Sequence, residues 1–143
     1  MFRVIIAGTR DFRDYDLLKK YCDYMLSQKT QSGEEIRIIS GGAKGADALG
    51  EEYARERGFI IVRYPAEWEK YGRQAGPMRN REMAANADAL IAFWDDKSKG
   101  TKNMIEEAKK RGLKVAIKHY EREAHAFDEY TKKGGTFPLD YCR

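Results

Sequence analysis

Ile38-Ile39-Ser40-Gly41-Gly42-Ala43-Lys44-Gly45-Ala46-Asp47 decides how the rest of the chain is read. A short β-branched run ends in Ser-Gly-Gly, and a helical pattern opens at once with Ala46, Leu49, Tyr53 and Ala54. Glycines at such a junction let the backbone turn sharply and approach a ligand closely. The amides and positive dipole end of the helix that follows favour an anion, usually a phosphate. The pattern is neither the dinucleotide fingerprint nor a Walker loop, because no Gly-Lys-Ser/Thr follows. A tight strand-to-helix turn without a ligand is the alternative.

Two further strand ends share this chemistry. Val4-Ile5-Ile6-Ala7 runs into Gly8-Thr9-Arg10-Asp11, which offers glycine, a hydroxyl and a guanidinium. Ala89 to Trp94 runs into Asp95-Asp96-Lys97-Ser98-Lys99-Gly100-Thr101 ahead of another helix. Three junctions of one kind indicate a shared ligand site more strongly than any one motif.

Working outward, five short apolar runs stand out: Phe2 to Ala7, Ile36 to Ser40, Phe59 to Arg63, Ala89 to Trp94 and Leu113 to Lys118. Nearly continuous apolar strands suit a parallel sheet covered on both faces. Helical patterns lie between them. The first carries Leu17, Leu18, Tyr21 and Met25, with Asp14 or Asp16 as its cap. The second runs from about Ala43 to Arg57 and stops at Gly58, the third begins near Pro77, and the fourth holds Met104, Ile105 and Ala108. The expected fold is α/β: a Rossmann-like, doubly wound, mostly parallel five-stranded sheet with helices on both faces and right-handed crossovers. Residues 1–118 form this domain, and residues 119–143 are a C-terminal extension packed on it or trailing from it. Within the extension Glu121 to Lys133 reads as a short helix and Gly134-Gly135-Thr-Phe-Pro as a loose tail.

Ligands of such sheets bind beyond the carboxyl ends of the strands, where strand order reverses. All three glycine-bearing junctions lie on that edge. So does the loop from Tyr64 to Asn80, whose Trp68 and Tyr71 offer cover for a ring. Arg79 and Asn80 are expected in the first turn of the third helix, where a cation opposes the dipole. An anionic ligand would explain Arg79 there, and its removal is then expected to leave stability unchanged or improved.

At 143 residues, 42% apolar and 35% charged, the chain is long enough for one cored domain with a heavily charged surface. A net charge of +4 suits phosphate-bearing ligands but is too diffuse to demand nucleic acid. Cys22 and Cys142 have neither metal-ligand spacing nor a disulfide framework, which points to a reduced cytoplasmic protein. No apolar run approaches a membrane span, and the N-terminus does not read as a signal peptide. His119 and His125 lack a ligating pattern, so no metal is expected. Ser40 has no nucleophile elbow around it.

Ser40-Gly41-Gly42-Ala43-Lys44-Gly45-Ala46-Asp47 resembles the Ser-Gly-x-Ala-x-Gly-Ile-Asp motif of the DNA-processing protein A (Smf) family. Gly76-Pro77-Met78-Arg79-Asn80, followed by Met83, and Gly100-Thr101 resemble the proteins grouped with it in the SLOG superfamily, which includes the "lonely guy" (LOG) phosphoribohydrolases. The chain is most similar to the small, single-domain bacterial and phage branch, the YspA-like proteins, from Met1 to about Lys118. The resemblance implies a nucleotide or nucleotide-derived ligand, phosphoribosyl, NAD or ADP-ribose-like, with no certain cofactor. Its ligand-binding residues would be Gly8, Thr9, Arg10, Ser40, Gly41, Gly42, Lys44, Gly45, Asp47, Arg79, Asn80, Trp94, Lys99, Gly100 and Thr101.

In the LOG enzymes an Arg and a Glu serve N-glycosidic cleavage. Arg79 matches the Arg, but the Glu position falls on Met104, with Glu106 and Glu107 the next acids. Catalytic residues are therefore unassigned, with Arg79, Asp47 and Glu82 as candidates. One carboxylate can stabilise an oxocarbenium-like centre or activate water, while Asp47 can equally tether its own loop. A binding module, acting as sensor or effector, is favoured over an N-glycosidic hydrolase. Single-stranded DNA binding, as in the Smf relatives, is the third reading. The expected partner is a small nucleotide, with nucleic acid less favoured, no membrane, and a homo-oligomer compatible with the sequence.

Overall fold

The apolar runs become five parallel strands in the computed structural model, which describes residues 1–120 and the backbone of residues 128–130. These are β1 (Phe2–Gly8), β2 (Ile36–Ser40), β3 (Ile60–Arg63), β4 (Ala89–Trp94) and β5 (Lys114–His119). A sixth, β6 (Asp128–Tyr130), pairs antiparallel with β5, giving the order β3-β2-β1-β4-β5-β6. The helices are α1 (Tyr15–Met25), α2 (Ser27–Gln31), α3 (Ala46–Arg57), α4 (Trp68–Tyr71), α5 (Ala75–Ala85) and α6 (Lys99–Lys110).

Strand alternation explains the continuous apolar runs. Val4, Ile6, Ile38, Ile91 and Phe93 face a cluster with Leu18, Tyr21 and Cys22 of α1 and Tyr53 and Ala54 of α3. Ile5, Ala7, Ile39, Leu90 and Ala92 face the opposite cluster, with Met83 of α5 and Met104, Ile105 and Ala108 of α6. Both faces are covered, so the central positions of both parities are apolar. Ile5 and Ile6 are both fully buried, and each such side chain is worth about 1.5–3 kcal/mol over an exposed one.

The sequence of crossovers sets the site. The chain steps from β1 outward to β2 and β3, then returns across the sheet to β4 on the other side of β1. Val4 to Gly8 are paired with Ala89 to Phe93, so β1 and β4 are neighbours and their helices leave on opposite faces. A crevice opens between such strand ends.

Several sequence expectations need correction. The five expected parallel strands are present, and among the described residues a sixth joins them, antiparallel at the edge. Part of the predicted helix at Glu121 to Lys133 is instead β6; the rest, and the tail from Gly134, lie outside the described residues. Helix α3 starts at Ala46 rather than Ala43, because Gly45 at φ +77 breaks the helical path. Helix α5 starts at Ala75, two residues before Pro77, which its first turn tolerates because that amide has no intrahelical acceptor. Arg79 and Asn80 therefore sit in the second turn, where the dipole argument largely lapses. Asp14 caps α1, its carboxylate accepting from the Leu17 amide at 3.0 Å. No described helix is long and apolar enough to cross a membrane.

Candidate functional site

The glycines at the three junctions do different jobs. At Gly8 a Cβ would stand 2.2 Å from the Phe93 carbonyl oxygen and 2.8 Å from the Ala46 Cβ. At Gly45 it would stand 2.3 Å from the Arg10 carbonyl oxygen and 2.4 Å from that of Thr9. What approaches these two glycines is the protein's own backbone. Gly42 and Gly100, by contrast, have nothing within 4 Å of that position, leaving room for an incoming molecule.

Thr9 is a structural knot. Its carbonyl accepts the Phe12 and Ala46 amides at 3.2 and 3.3 Å, and its hydroxyl accepts the Asp95 amide at 3.3 Å. Thus β1, β4 and α3 are tied together beneath the crevice, and the buried Thr9 side chain lines neither of its two cavities. Ser40 is likewise buried. It donates to Glu51 at 2.7 Å and accepts the Gly42 amide at 3.0 Å. Glu51 also receives Arg63 through Nε at 3.0 Å and Nη2 at 2.7 Å, and this guanidinium holds its carboxyl below the usual range.

Asp47 lies in the first turn of α3, where the dipole favours a negative charge. Its Oδ2 accepts the Ala43 amide at 3.3 Å, and the nearby Gly8 amide also favours the charged carboxylate. The amides expected to hold a phosphate in this loop thus already hold an internal anion. Burial pushes the Asp47 carboxyl up from 3.8 to about 6 against those amides and the neighbouring Arg79 charge.

Arg79 donates Nη1–H to the Gly41 carbonyl at 2.7 Å and Nε–H to Asn80 Oδ1 at 3.0 Å. Asn80 Nδ2 in turn donates to Asn103 Oδ1 at 2.8 Å and Gly100 O at 3.4 Å. This chain fastens α5 to the start of α6 and aims the guanidinium across the crevice. Burial lowers the pKa of Arg79 from its ordinary value; Asp47 offsets this and Arg10 adds to it.

Two adjoining cavities result. The inner one, about 340 Å³, is bounded by Gly8, Asp47, Arg73, Asn80, Lys99 and Thr101 among others. The outer one, about 550 Å³, is bounded by Gly41, Gly42, Lys44, Glu51 and Arg63. Arg10, Ala43, Trp68 and Arg79 line both. Among the described residues no ion pair within 4 Å is made by Arg10, Lys44, Arg73, Arg79 or Lys99, whereas Arg3, Arg57 and Arg63 are paired with Asp88, Asp23 and Glu51. Ser98 caps α6 by accepting the Thr101 amide at 3.3 Å, which leaves the Lys99 and Gly100 amides at the open helix end.

Other expected residues fall outside the cavities. Trp94 donates its indole N–H to Ser98 O at 3.1 Å and stands beside His119, steadying the β4–α6 turn. Glu82 is exposed on α5 and lines neither cavity, as do Glu106 and Glu107, so Asp47 is the carboxylate of the inner cavity. Met104 borders the inner cavity and is otherwise core. Sequence reasoning missed Arg73 and Asn103. Arg73 lies in a 3₁₀ turn (Gly72–Gln74) too short for periodicity, and Asn103 acts only through Asn80. Among the described residues no group of three His, Cys, Asp or Glu could hold a metal ion.

Asp47 yields a pH prediction. Its folded pKa lies above its unfolded one, so its contribution to stability is intact below about pH 3.8 and is lost as pH rises towards about 6. Asp47→Asn removes that loss. The variant should gain on the wild type by up to about 3 kcal/mol between pH 4 and pH 7, read by urea denaturation. Parallel stability curves would contradict the buried-carboxyl assignment.

Comparisons with known proteins bear on the fold and the family. The model of the YspA, cpYpsA-related SLOG family matches residues 2–71. The Gene 61 protein of Mycobacterium phage D29 is 35% identical over 121 residues, covering 80% of this chain and 94% of that protein. The crystal structure of DNA processing protein A from Streptococcus pneumoniae superposes with a TM-score of 0.63 at 17% identity over 86% of this chain, which spans about half (52%) of that one. The same protein from Helicobacter pylori, described for its single-stranded DNA binding mode, gives 0.59 at 22% identity over 87% of this chain and 68% of that one. At such identities the likeness to the two solved structures is one of fold. The phage relative, aligned across nearly its whole length, and the matching family model place the chain in the YspA, cpYpsA-related SLOG family.

Proposed function

We propose that the crevice binds a nucleotide or nucleotide-derived, phosphoribosyl or ADP-ribose-like, ligand, and that the domain works in the cytoplasm as a sensor or effector module. The observation that carries this is the set of cations without carboxylate partners, Arg10, Arg79 and Lys99, gathered at the β1–β4 switch beside the open end of α6. Arg79 is half-buried, and its neighbour Asp47 compensates its charge only in part; a phosphate on the guanidinium and on the helix amides completes that compensation. Because the Asp47 carboxylate already takes the Ala43 amide and places a negative charge at the start of α3, the phosphate belongs nearer α6 than α3. A thermal-shift and native mass-spectrometry screen of nucleotides, NAD and ADP-ribose tests this. No shift and no adduct with any of them would defeat it.

Binding without turnover is favoured over N-glycosidic hydrolysis. Met104 stands where the LOG pattern has its acid, and losing one acid or base group costs about 10²–10⁴ in rate. Incubation with nucleoside monophosphates is expected to release no free base above a blank on chromatography. Steady release that disappears in Asp47→Asn, with binding retained, would replace the sensor by an enzyme and make Asp47 its acid–base group.

Single-stranded DNA is the second reading, supported by the Helicobacter relative's description and by exposed Trp68 and Tyr71 beside Arg73 and Lys70. Stacking aromatics and a basic track are what such binding uses. The gathering of Arg10, Arg79 and Lys99 in the crevice favours the small ligand. A gel-shift titration with unstructured oligonucleotides separates the two.

A further inference from the structure

We propose that the two cavities are the lobes of a single site for a ligand whose halves are joined by a diphosphate, with Arg10 and Arg79 clasping the diphosphate at the waist and Trp68 stacking on a ring. This rests on the nucleotide reading above and narrows it to nucleoside-diphosphate conjugates rather than nucleoside monophosphates.

The residues common to both cavities carry the argument. They are two guanidiniums, an indole and the small Ala43. Guanidiniums bind phosphate oxygens through paired N–H groups, and an indole offers a flat, sequence-tolerant face to a base or ring. Arg79 uses Nη1 and Nε within the protein, and among the described residues neither its Nη2 nor the Arg10 side chain has a hydrogen-bond partner. The two cations repel each other across the waist. A single monoester phosphate must be shared between them, whereas a diphosphate spanning the waist brings each its own phosphate group.

Trp68 is held where this requires. Its ring edge lies 3.1 Å from where a Cβ of Gly76 would be, so the bare glycine seats the indole at the rim, and the residue remains 49% exposed. The outer lobe has the chemistry of a sugar site. Glu51 is a carboxylate fixed by Ser40 and Arg63, an acceptor for hydroxyls, and Gly42 leaves open space beside it. The inner cavity alone is at the lower end of the range for ligand pockets, about 300–1,000 Å³, while the outer one adds the room a second half needs.

The test is calorimetry on the full chain with base-matched pairs: AMP and ADP-ribose, UMP and UDP-glucose, GMP and GDP-mannose. In at least one pair the diphosphate conjugate should bind about tenfold tighter or more. Arg10→Gln, at an exposed and unpaired position, should leave the melting temperature unchanged and collapse that gap to within about threefold. Trp68→Ala should weaken the conjugate by about tenfold, with Trp68→Phe restoring most of it. Equal affinity within every pair would overturn the two-lobed site and leave nucleotide binding standing. A gap untouched by both Arg10→Gln and Trp68→Ala would also overturn it, since the waist would lie elsewhere. Binding by none of the six would remove the nucleotide reading and this proposal together.

Discussion

Gly45→Ala is expected to be the most damaging single-methyl change in the chain, destabilising it by about 4 kcal/mol. Two effects add. Gly45 has φ +77 and ψ −128, a conformation that side-chain-bearing residues rarely adopt. The new methyl would also stand 2.3 and 2.4 Å from two carbonyl oxygens, both of them backbone and unable to swing away. Against a typical total of about 5–15 kcal/mol, that leaves a marginal or unfolded protein. Gly42→Ala is the internal control. It too has positive φ, +75, but nothing within 4 Å, so about 1 kcal/mol is expected. Urea denaturation of both variants checks the contrast. Equal losses would mean that dihedral strain alone governs the loop and that the packing of Gly45 against Thr9 and Arg10 is unimportant.

Arg79→Ala should produce the largest functional loss, weakening the tightest nucleotide found by about 2–4 kcal/mol. It should also destabilise the unliganded protein, by about 1–3 kcal/mol, because the Gly41 carbonyl loses its donor and buried Asp47 its nearest counter-charge. The sequence alone suggests the opposite sign for stability, from a cation at a helix start. The structure reverses it by placing Arg79 in the second turn and giving it two acceptors. Calorimetry and denaturation read the two effects separately. Unchanged affinity would remove Arg79 from the site, and a gain in stability would restore the dipole argument.

The sheet was legible because its physics is local. Runs such as Ala89–Trp94 must be apolar at every position when helices cover both faces, and few other contexts demand that. The junction motifs also located the crevice: Gly8, Arg10, Gly41, Gly42, Arg79, Gly100 and Thr101 line one cavity or the other. What the sequence could not display was who faces whom. Asp47 reads as a loop tether or a catalyst until the Gly8 amide is brought to it from another strand. Trp94 stands among the expected ligand-binding residues until its indole is seen bonded to Ser98, away from both cavities. Gly8 and Gly45 look like ligand contacts, yet their bareness serves backbone packing, which depends on residues far away in the chain. Strand β6 escaped because antiparallel pairing at a sheet edge needs no strong pattern of its own.

The Asp47 carboxyl has a consequence for how binding is felt by its surroundings. An acid of pKa about 6 beside the crevice is partly protonated in a mildly acidic cell, and any anion settling nearby raises that pKa further. On the nucleotide reading proposed above, ligand and proton would then be taken up together, and the occupancy of the site would follow pH as well as ligand concentration. Calorimetric heats that differ between MES and imidazole buffers at one pH, about 6.5, by an amount abolished in Asp47→Asn, would display that uptake directly. Equal heats in the two buffers would mean that the anion sits too far from α3 for Asp47 to sense it.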